Sequence, residues 1–516
     1  MKKLRLLVAC AALAACAALV PATASAQGDV DAATSTFDFT KNLHPLGYSP
    51  RVVPIDNTVP GQGVFNSDLA FEGRTVVQGT YGGFRLIDVT EPDAPSEIVN
   101  WTECASNTNT VGNQGDVIVW GDLVFRSWNS ATPAPQVNGV NIPVTDPARY
   151  TTPGAFCGDW PMFREPADPA TGLPERGQEG VHIIDISDPE NPDVIGFVDT
   201  PCGSHTETLV PDLENNRLLI YSNSSANTTF GVPGGGETPV QCAGIDIIEV
   251  PLDDPASASY LRFEQAGDPM EDEHHSCHDT AVILGDANLV ACAGTAGGTN
   301  TGVNVFSIDP ADGGSKEDPV WLYHKITGGI SLGHSAAFTW DGEVLVVGHE
   351  PGGGSGAECE ATDDPLRRTF FYLDARTGES LGQFTIPRPQ TNVENCTTHN
   401  YTIVPTKKRY VMVSGNYQSG ISVIDFTDPA NAEEIAYADP APLVDPNPPV
   451  GIELGGDWST YWYNGRIYES DITRGLLIWK LSDPAVAGAM RLDRLNPQTT
   501  PFTFESKLKT KGKRWQ

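Results

Sequence analysis

An all-β, seven-bladed β-propeller of four-stranded blades is the architecture this sequence predicts, and three observations predict it. A polar residue recurs seven times at the head of one kind of hairpin, an aliphatic–Asp strand running into a turn follows each hairpin, and a further apolar patch follows that strand. Four-stranded units repeated in series build a propeller, whereas a solenoid needs shorter, more even periods and a sandwich does not repeat in this way. The 516 residues include 52 Gly and 41 Pro with 39% hydrophobic residues, which suits a turn-rich β chain better than a helical one.

Residues 1–26 read as an export signal. Lys2, Lys3 and Arg5 precede the apolar run LLVACAALAACAALV, and Ala24-Ser25-Ala26 has the small-x-small form of a cleavage site. Leu13-Ala14-Ala15-Cys16 also resembles a lipobox, which would leave a lipid anchor on Cys16; the ordinary cleavage site is preferred because the apolar run continues past it. No later stretch approaches the ~20 apolar residues of a spanning helix. The formal charge is −34, and removing the three basic residues of the signal takes it to −37. Such a surface repels nucleic acid and anionic membranes and suits solubility or cation binding.

A lead segment, 27–60, offers TFDFTKNLHPLGYSPRVV as an edge strand or a clasp, and the repeats occupy 61–490. Four hairpins align on histidines: HTETLVPDLENNRLLIYS from 205, HDTAVILGDANLVACAG from 278, HSAAFTWDGEVLVVGH from 334 and HNYTIVPTKKRYVMVSG from 399. Three more align on Asn66, Gln114 and Asp457. The third strands are FRLIDVTEPDAP, VHIIDISDPENP, IDIIEVPLDDP, VNVFSIDPADG, FFYLDARTGE, ISVIDFTDPANA and LLIWKLSDPAV. Alternating aliphatics before Asp-Pro read as a strand entering a turn, because Pro fixes φ and the Asp carboxylate bonds the turn backbone. The fourth patches are EIVNW, DVIGFV, SYLRF, VWLYH, SLGQFTI, EEIAYA and AMRLDRL. Two closures of the ring are open: the lead segment completes the last blade, or blade seven draws all its strands from the C-terminal end. Residues 491–516 form a tail ending in the basic run KLKTKGKR, read as a frayed end.

VHIIDISDPENP and ISVIDFTDPANA resemble the LVIVD repeat family, named for that strand and found in exported bacterial proteins. The resemblance extends over most of 60–490 and is weakest at FSIDP and FYLDA in blades four and five. It implies a propeller outside the cytoplasm and hands over no activity.

If the recurring polar residue opens the innermost strand of each blade, all seven gather at one mouth of the central channel. The long insertions, 129–179, 223–242 and 351–368, fall in loops on that same face, so an elaborated rim surrounds a polar mouth. His205, His278, His334 and His399 on consecutive inner strands are then candidate ligands of one ion, with Asp457 supplying a carboxylate. Nitrogen-rich ligation favours Cu, Zn, Fe or Ni over Ca or Mg. Asn66, Gln114, His275 (with His274) and His349 are placed around them as weaker ligands or supporting donors. The plainer reading is a polar ring, inherited by duplication, that bonds only backbone and water.

Eight cysteines remain once Cys10 and Cys16 are set aside with the signal, an even number that favours disulfides in an exported chain. Cys104 with Cys157, Cys202 with Cys242 and Cys359 with Cys396 each join a loop to a rim insertion, which leaves Cys277 with Cys292. Cys202-x-x-His205 and Cys396-x-x-His399 also have ligand spacing, but an oxidising compartment favours the bridge over a thiolate ligand. Gly329-Ile-Ser331-Leu-Gly333 matches a nucleophile elbow but leads into a strand rather than a helix. Asp88, Asp185 and Asp425 could bind calcium, though turn formation explains them more simply. The chain therefore reads as an exported binding or interaction module with a histidine-rich mouth for a transition metal or polar ligand. The alternatives are a metal-dependent hydrolase or oxidase with Asp457 or His275 as general base, and a structural surface protein; the partner is a protein, a small polar ligand or a metal ion.

Overall fold

A computed structural model of the chain describes residues 28–51, 65–102, 114–128, 136–137, 140–141, 156–161, 179–200, 202–223, 243–268, 277–296, 300–328, 333–443 and 454–509. The export signal with Cys16, the pair His274–His275, Cys104 and Cys242 lie outside them, as do most of the first two insertions.

Seven four-stranded antiparallel blades form the ring. From the innermost strand outward, blade 1 is Asn66–Glu72, Thr75–Thr80, Gly83–Asp88 and Ser96–Trp101, and blade 2 is Val117–Trp120, Leu123–Trp128, Gly180–Asp185 and Asp193–Asp199. Blades 3 to 6 open with Thr206–Asp212, Asp279–Ile283, Gly333–Phe338 and Tyr401–Ile403, and the signature strands are the third strands throughout. Their terminal aspartates work as turn-formers: Asp88, Asp185 and Asp425 each accept from the backbone N–H two residues on, at 2.7, 2.7 and 3.0 Å. In blades 1 to 6 the pairing of third and fourth strands slips by one residue, as between Leu86 and Ile87 or Ile183 and Ile184. Such bulges add twist to the outer edge of a blade.

The lead segment closes the ring. Blade 7 takes Asp457–Tyr463, Arg466–Asp471 and Gly475–Leu481 from the C-terminal side, and its fourth strand is Leu43–Pro50. The patch AMRLDRL, read above as that fourth strand, is not part of the blade. A strand from the other end of the chain already occupies the edge, and Arg494–Leu495 pairs instead with the innermost strand of blade 1, Leu495 opposite Phe71. Phe37–Phe39 adds a fifth strand to the outer edge of blade 6. The seam between blades 7 and 1 is welded by stacked Phe71 and Tyr463, centroids 4.7 Å apart, and by Arg85. That buried guanidinium bonds Glu97 and Gln78 within its own blade and Ser49 Oγ and the Pro50 carbonyl of the lead strand, at 2.6, 2.7, 2.7 and 2.9 Å.

The segment from Met490 to Phe504 is a strap across the channel; of the run KLKTKGKR, read as frayed, residues 507–509 end the last helix and the rest lie outside the described residues. Met490 N–H bonds Pro405 O of blade 6, and Asn464 of blade 7 bonds both backbone groups of Leu492. Asn496 likewise clamps both backbone groups of Val119 in blade 2, and Thr499 Oγ1 donates to Leu209 O of blade 3. Thr499–Thr500 pairs in parallel with the inner strand of blade 4, and Phe504 N–H reaches Trp340 O of blade 5. With Leu495 on blade 1, one segment touches all seven blades at their inner hairpins, and it ends in the short helix Phe504–Lys509.

Candidate metal centre at the channel mouth

The four hairpin-heading histidines meet. Their rings follow one another around the axis, with centroids 4.7 Å apart for His205–His278, 4.1 Å for His278–His334 and 4.4 Å for His334–His399, all buried. His334 and His278 each sit at a local break in inner-strand register. His334 bulges between Gly333 and Ser335 on the inner strand of blade 5. His278 N–H bonds Ala293 O while the following Asp279 also pairs with Ala293. Two residues that follow these histidines bond the next blade: Thr206 Oγ1 donates to His278 O at 2.5 Å and Ser335 Oγ to His399 O at 2.8 Å.

The same bonds redefine the seven-fold column. Ser67 Oγ donates to Gly115 O at 3.1 Å, and the bulged residue of blade 7, between Asp457 and Ser459, is Trp458. By cross-blade bonding the column is Asn66, Gly115, His205, His278, His334, His399 and Trp458, one residue on from the Gln114 and Asp457 chosen by alignment. Asp457 accordingly does not join the imidazoles; its carboxylate groups with Glu469 and Asp471. Asn66 Nδ2 donates to Asp471 O at 2.8 Å, a tie between blades 1 and 7. Gln114 does line the mouth. His349 lies behind the ring, its Nε2 2.8 Å from Thr327 Oγ1 and its face against Phe371. Its successor, Glu350, faces the site.

Glu350, Tyr417, Trp458, Asp68, Asp116, Asp279 and Gln498 were not singled out from sequence. Glu350 Oε2 is 3.6 Å from His334 Nε2, and its Oε1 is 3.6 Å from His399 Nε2. Ligand atoms of His278, His334 and Glu350 all lie within 4.8 Å of one another, so this group could hold a metal ion. Tyr417 Oη is 2.5 Å from Glu350 Oε1 and 2.8 Å from His399 Nε2. The one signal available was that the residue following the column is polar in every blade: Ser67, Asp116, Thr206, Asp279, Ser335, Asn400 and Ser459.

Hydrogen-bond partners set the tautomers. His278 Nδ1 faces the His334 carbonyl at 3.3 Å and His399 Nδ1 faces the Trp458 carbonyl at 2.5 Å. A carbonyl only accepts, so Nδ1 carries the proton and Nε2 keeps its lone pair, the arrangement that a backbone acceptor imposes on a ligating imidazole. Burial lowers the pKa of His278 to about 4 and of His399 to about 3, and it holds His205 and His334 well down together with their neighbouring imidazoles. The ring is thus neutral at pH 7. Burial also raises Glu350 to about 7, opposed by its bond to Tyr417. The single Tyr417 hydroxyl proton cannot serve both neighbours at once.

His334 Nδ1 has no hydrogen-bond partner among the described residues, and with the lone pairs of its neighbours this donor set fits a borderline transition metal. Asp68, Asp116, Asp279 and Gln498 line the space beneath, with room of about 20 Å³ for the centre of a water-sized sphere. That holds one water or one ion rather than an organic molecule. Two disulfides brace the neighbourhood, Cys277–Cys292 and Cys359–Cys396, with Cα separations of 5.3 and 5.7 Å. Cys157 and Cys202 are disulfide-bonded too, and the cysteines matched to them from sequence lie outside the described residues.

Fold and ring of side chains together define a seven-bladed β-propeller with a histidine-lined mouth. No family model and no curated protein matches the chain. Among solved structures, it is similar to a computationally designed protein, Ika8, at 10% identity and a TM-score of 0.40, with 82% of this chain and 98% of that one covered. It is also similar to the β-propeller domain of Cps50 (Swd1) from Myceliophteria thermophila, at 10% identity and a TM-score of 0.42, with 81% and 97% covered.

Proposed function

We propose that this protein is an exported propeller that binds one transition-metal ion at its channel mouth and serves as a binding module around it. His278, His334 and Glu350 would hold the ion, with His205 and His399 beside them. The observation that carries this reading is the row of four neutral imidazoles, two of which, His278 and His399, turn Nδ1 toward a backbone carbonyl and so leave Nε2 with its lone pair. Zn, Cu, Ni and Fe match such donors. Neutral rings need shed no proton at pH 7 to bind, which removes the usual competition. Export is supported by the disulfides, and the signature strands, each third in its blade, support membership of the LVIVD repeat family.

A metal-dependent enzyme is the second reading, favoured by the Glu350–Tyr417 pair, which can take or give a proton beside an ion. The small space beneath the rings favours binding over turnover of an organic substrate. Elemental analysis and calorimetry on tag-free protein, with His278→Ala alongside, test the proposal. One ion per chain with at least about 10-fold weaker binding by the variant is expected; absence of bound Zn, Cu, Ni or Fe, or unchanged affinity in the variant, overturns it.

A further inference from the structure

Blade 7 holds a second group of oxygen ligands, apart from the imidazoles. Asp457, Glu469 and Asp471 are fully buried and present carboxylate oxygens within 4.8 Å of one another. Asp457 and Glu469 are each gripped on one carboxylate oxygen and Asp471 on both. Thr460 Oγ1 donates to Asp457 Oδ2 at 2.8 Å, and Trp479 Nε1 donates to Glu469 Oε2 at 2.5 Å. Arg474 donates to Asp471 Oδ2 at 2.7 Å, while the backbone N–H groups of Thr473 and Arg474 reach Asp471 Oδ1 at 2.8 and 2.7 Å. These donors aim the remaining oxygens inward. Asp457 Oδ1 and Glu469 Oε1 have no hydrogen-bond donor among the described residues, although both are sealed from water.

Two buried acceptor oxygens facing each other need something positive between them. Arg474 offsets one of the three carboxylates, which leaves two negative charges when all are ionised. We propose that this cluster is a structural site for a hard, calcium-sized divalent cation. Oxygens no more than 4.8 Å apart can share one ion with bonds of about 2.3–2.6 Å, and an all-oxygen set selects such an ion over the metals that imidazoles prefer. A site this deep stabilises the folded chain directly, because binding and folding are one event.

The test uses the full chain, stripped with a chelator and melted with and without Ca²⁺. A rise of about 2–3 °C is expected at a calcium concentration about 100-fold above Kd. Asp457→Asn with Glu469→Gln should abolish the rise, while His278→Ala keeps it and thereby separates this site from the channel mouth. Tb³⁺ substituted for Ca²⁺ requires no variant: excitation of Trp479, whose indole touches Glu469, should give calcium-displaceable emission. Unchanged melting with Ca²⁺ in the wild-type chain, a rise that survives the double substitution, or no displaceable Tb³⁺ emission each overturns the proposal, and a shared proton would then be what neutralises the cluster.

Discussion

At the scale of single side chains, burial sets the charge of nearly every ionisable group near the axis, and it does so in opposite senses for imidazoles and carboxyls. His278 is neutral in the fold down to about pH 4, so the stability it contributes is complete above pH 6.5 and falls away as pH drops from 6.5 toward 4. Asp246 runs the other way. Burial raises it to about 7, against the bonds from Tyr260 Oη and Cys202 N–H, so its contribution is complete below pH 3.8 and is lost as pH rises through 7. Asp246→Asn should therefore gain stability relative to wild type by on the order of 4 kcal/mol between pH 4 and pH 8. Denaturation midpoints across that range check it, and parallel pH profiles for the two proteins would contradict it. Tyr417→Phe should leave Glu350 Oε1 short of a partner and lower stability by about 1–3 kcal/mol, measured at pH 8 where the carboxyl is ionised.

At the scale of strands and turns, closure depends on one buried cation. Arg85→Met removes the bonds to Ser49 and Pro50 that tie the lead strand to blade 1 and leaves Glu97 unpaired, so a loss of about 3 kcal/mol is expected in denaturant unfolding. A loss below about 0.5 kcal/mol would show that the seam holds without Arg85. The repeated third strand was legible in the sequence because alternating aliphatics and an Asp-Pro turn are local signals, and the histidine column because it recurs at the head of each hairpin, a near-constant distance before the hairpin turn. Trp458 and Gly115 were not legible as column members. A bulge shifts the inward-facing residue by one, and only the bonds between blades reveal it. Leu43–Pro50 could be suspected but not assigned, since a strand borrowed from the far end of the chain leaves no mark beside blade 7.

For the whole molecule, the strap from Met490 onward makes the channel a cup. Gln498 reaches from it to Asp68 Oδ2, 3.3 Å away, and forms part of the floor beneath the imidazoles. This segment escaped notice because RLNPQTTPF has no strand periodicity and grips mainly through backbone atoms. Ending the chain at residue 490 should speed amide exchange at Val119, Val282 and Leu284, whose N–H groups bond Asn496 Oδ1, Gln498 O and Thr500 O. Unchanged protection there would mean that the strap is dispensable. The propeller would then act as a rigid holder for one ion over a closed floor, and X-ray absorption of the Zn- or Cu-loaded, tag-free chain examines that most directly. The account predicts at least two imidazole nitrogens at about 2.0–2.1 Å from the metal, diminished in His334→Ala; a metal surrounded by oxygen alone, or a spectrum untouched by the substitution, would contradict it.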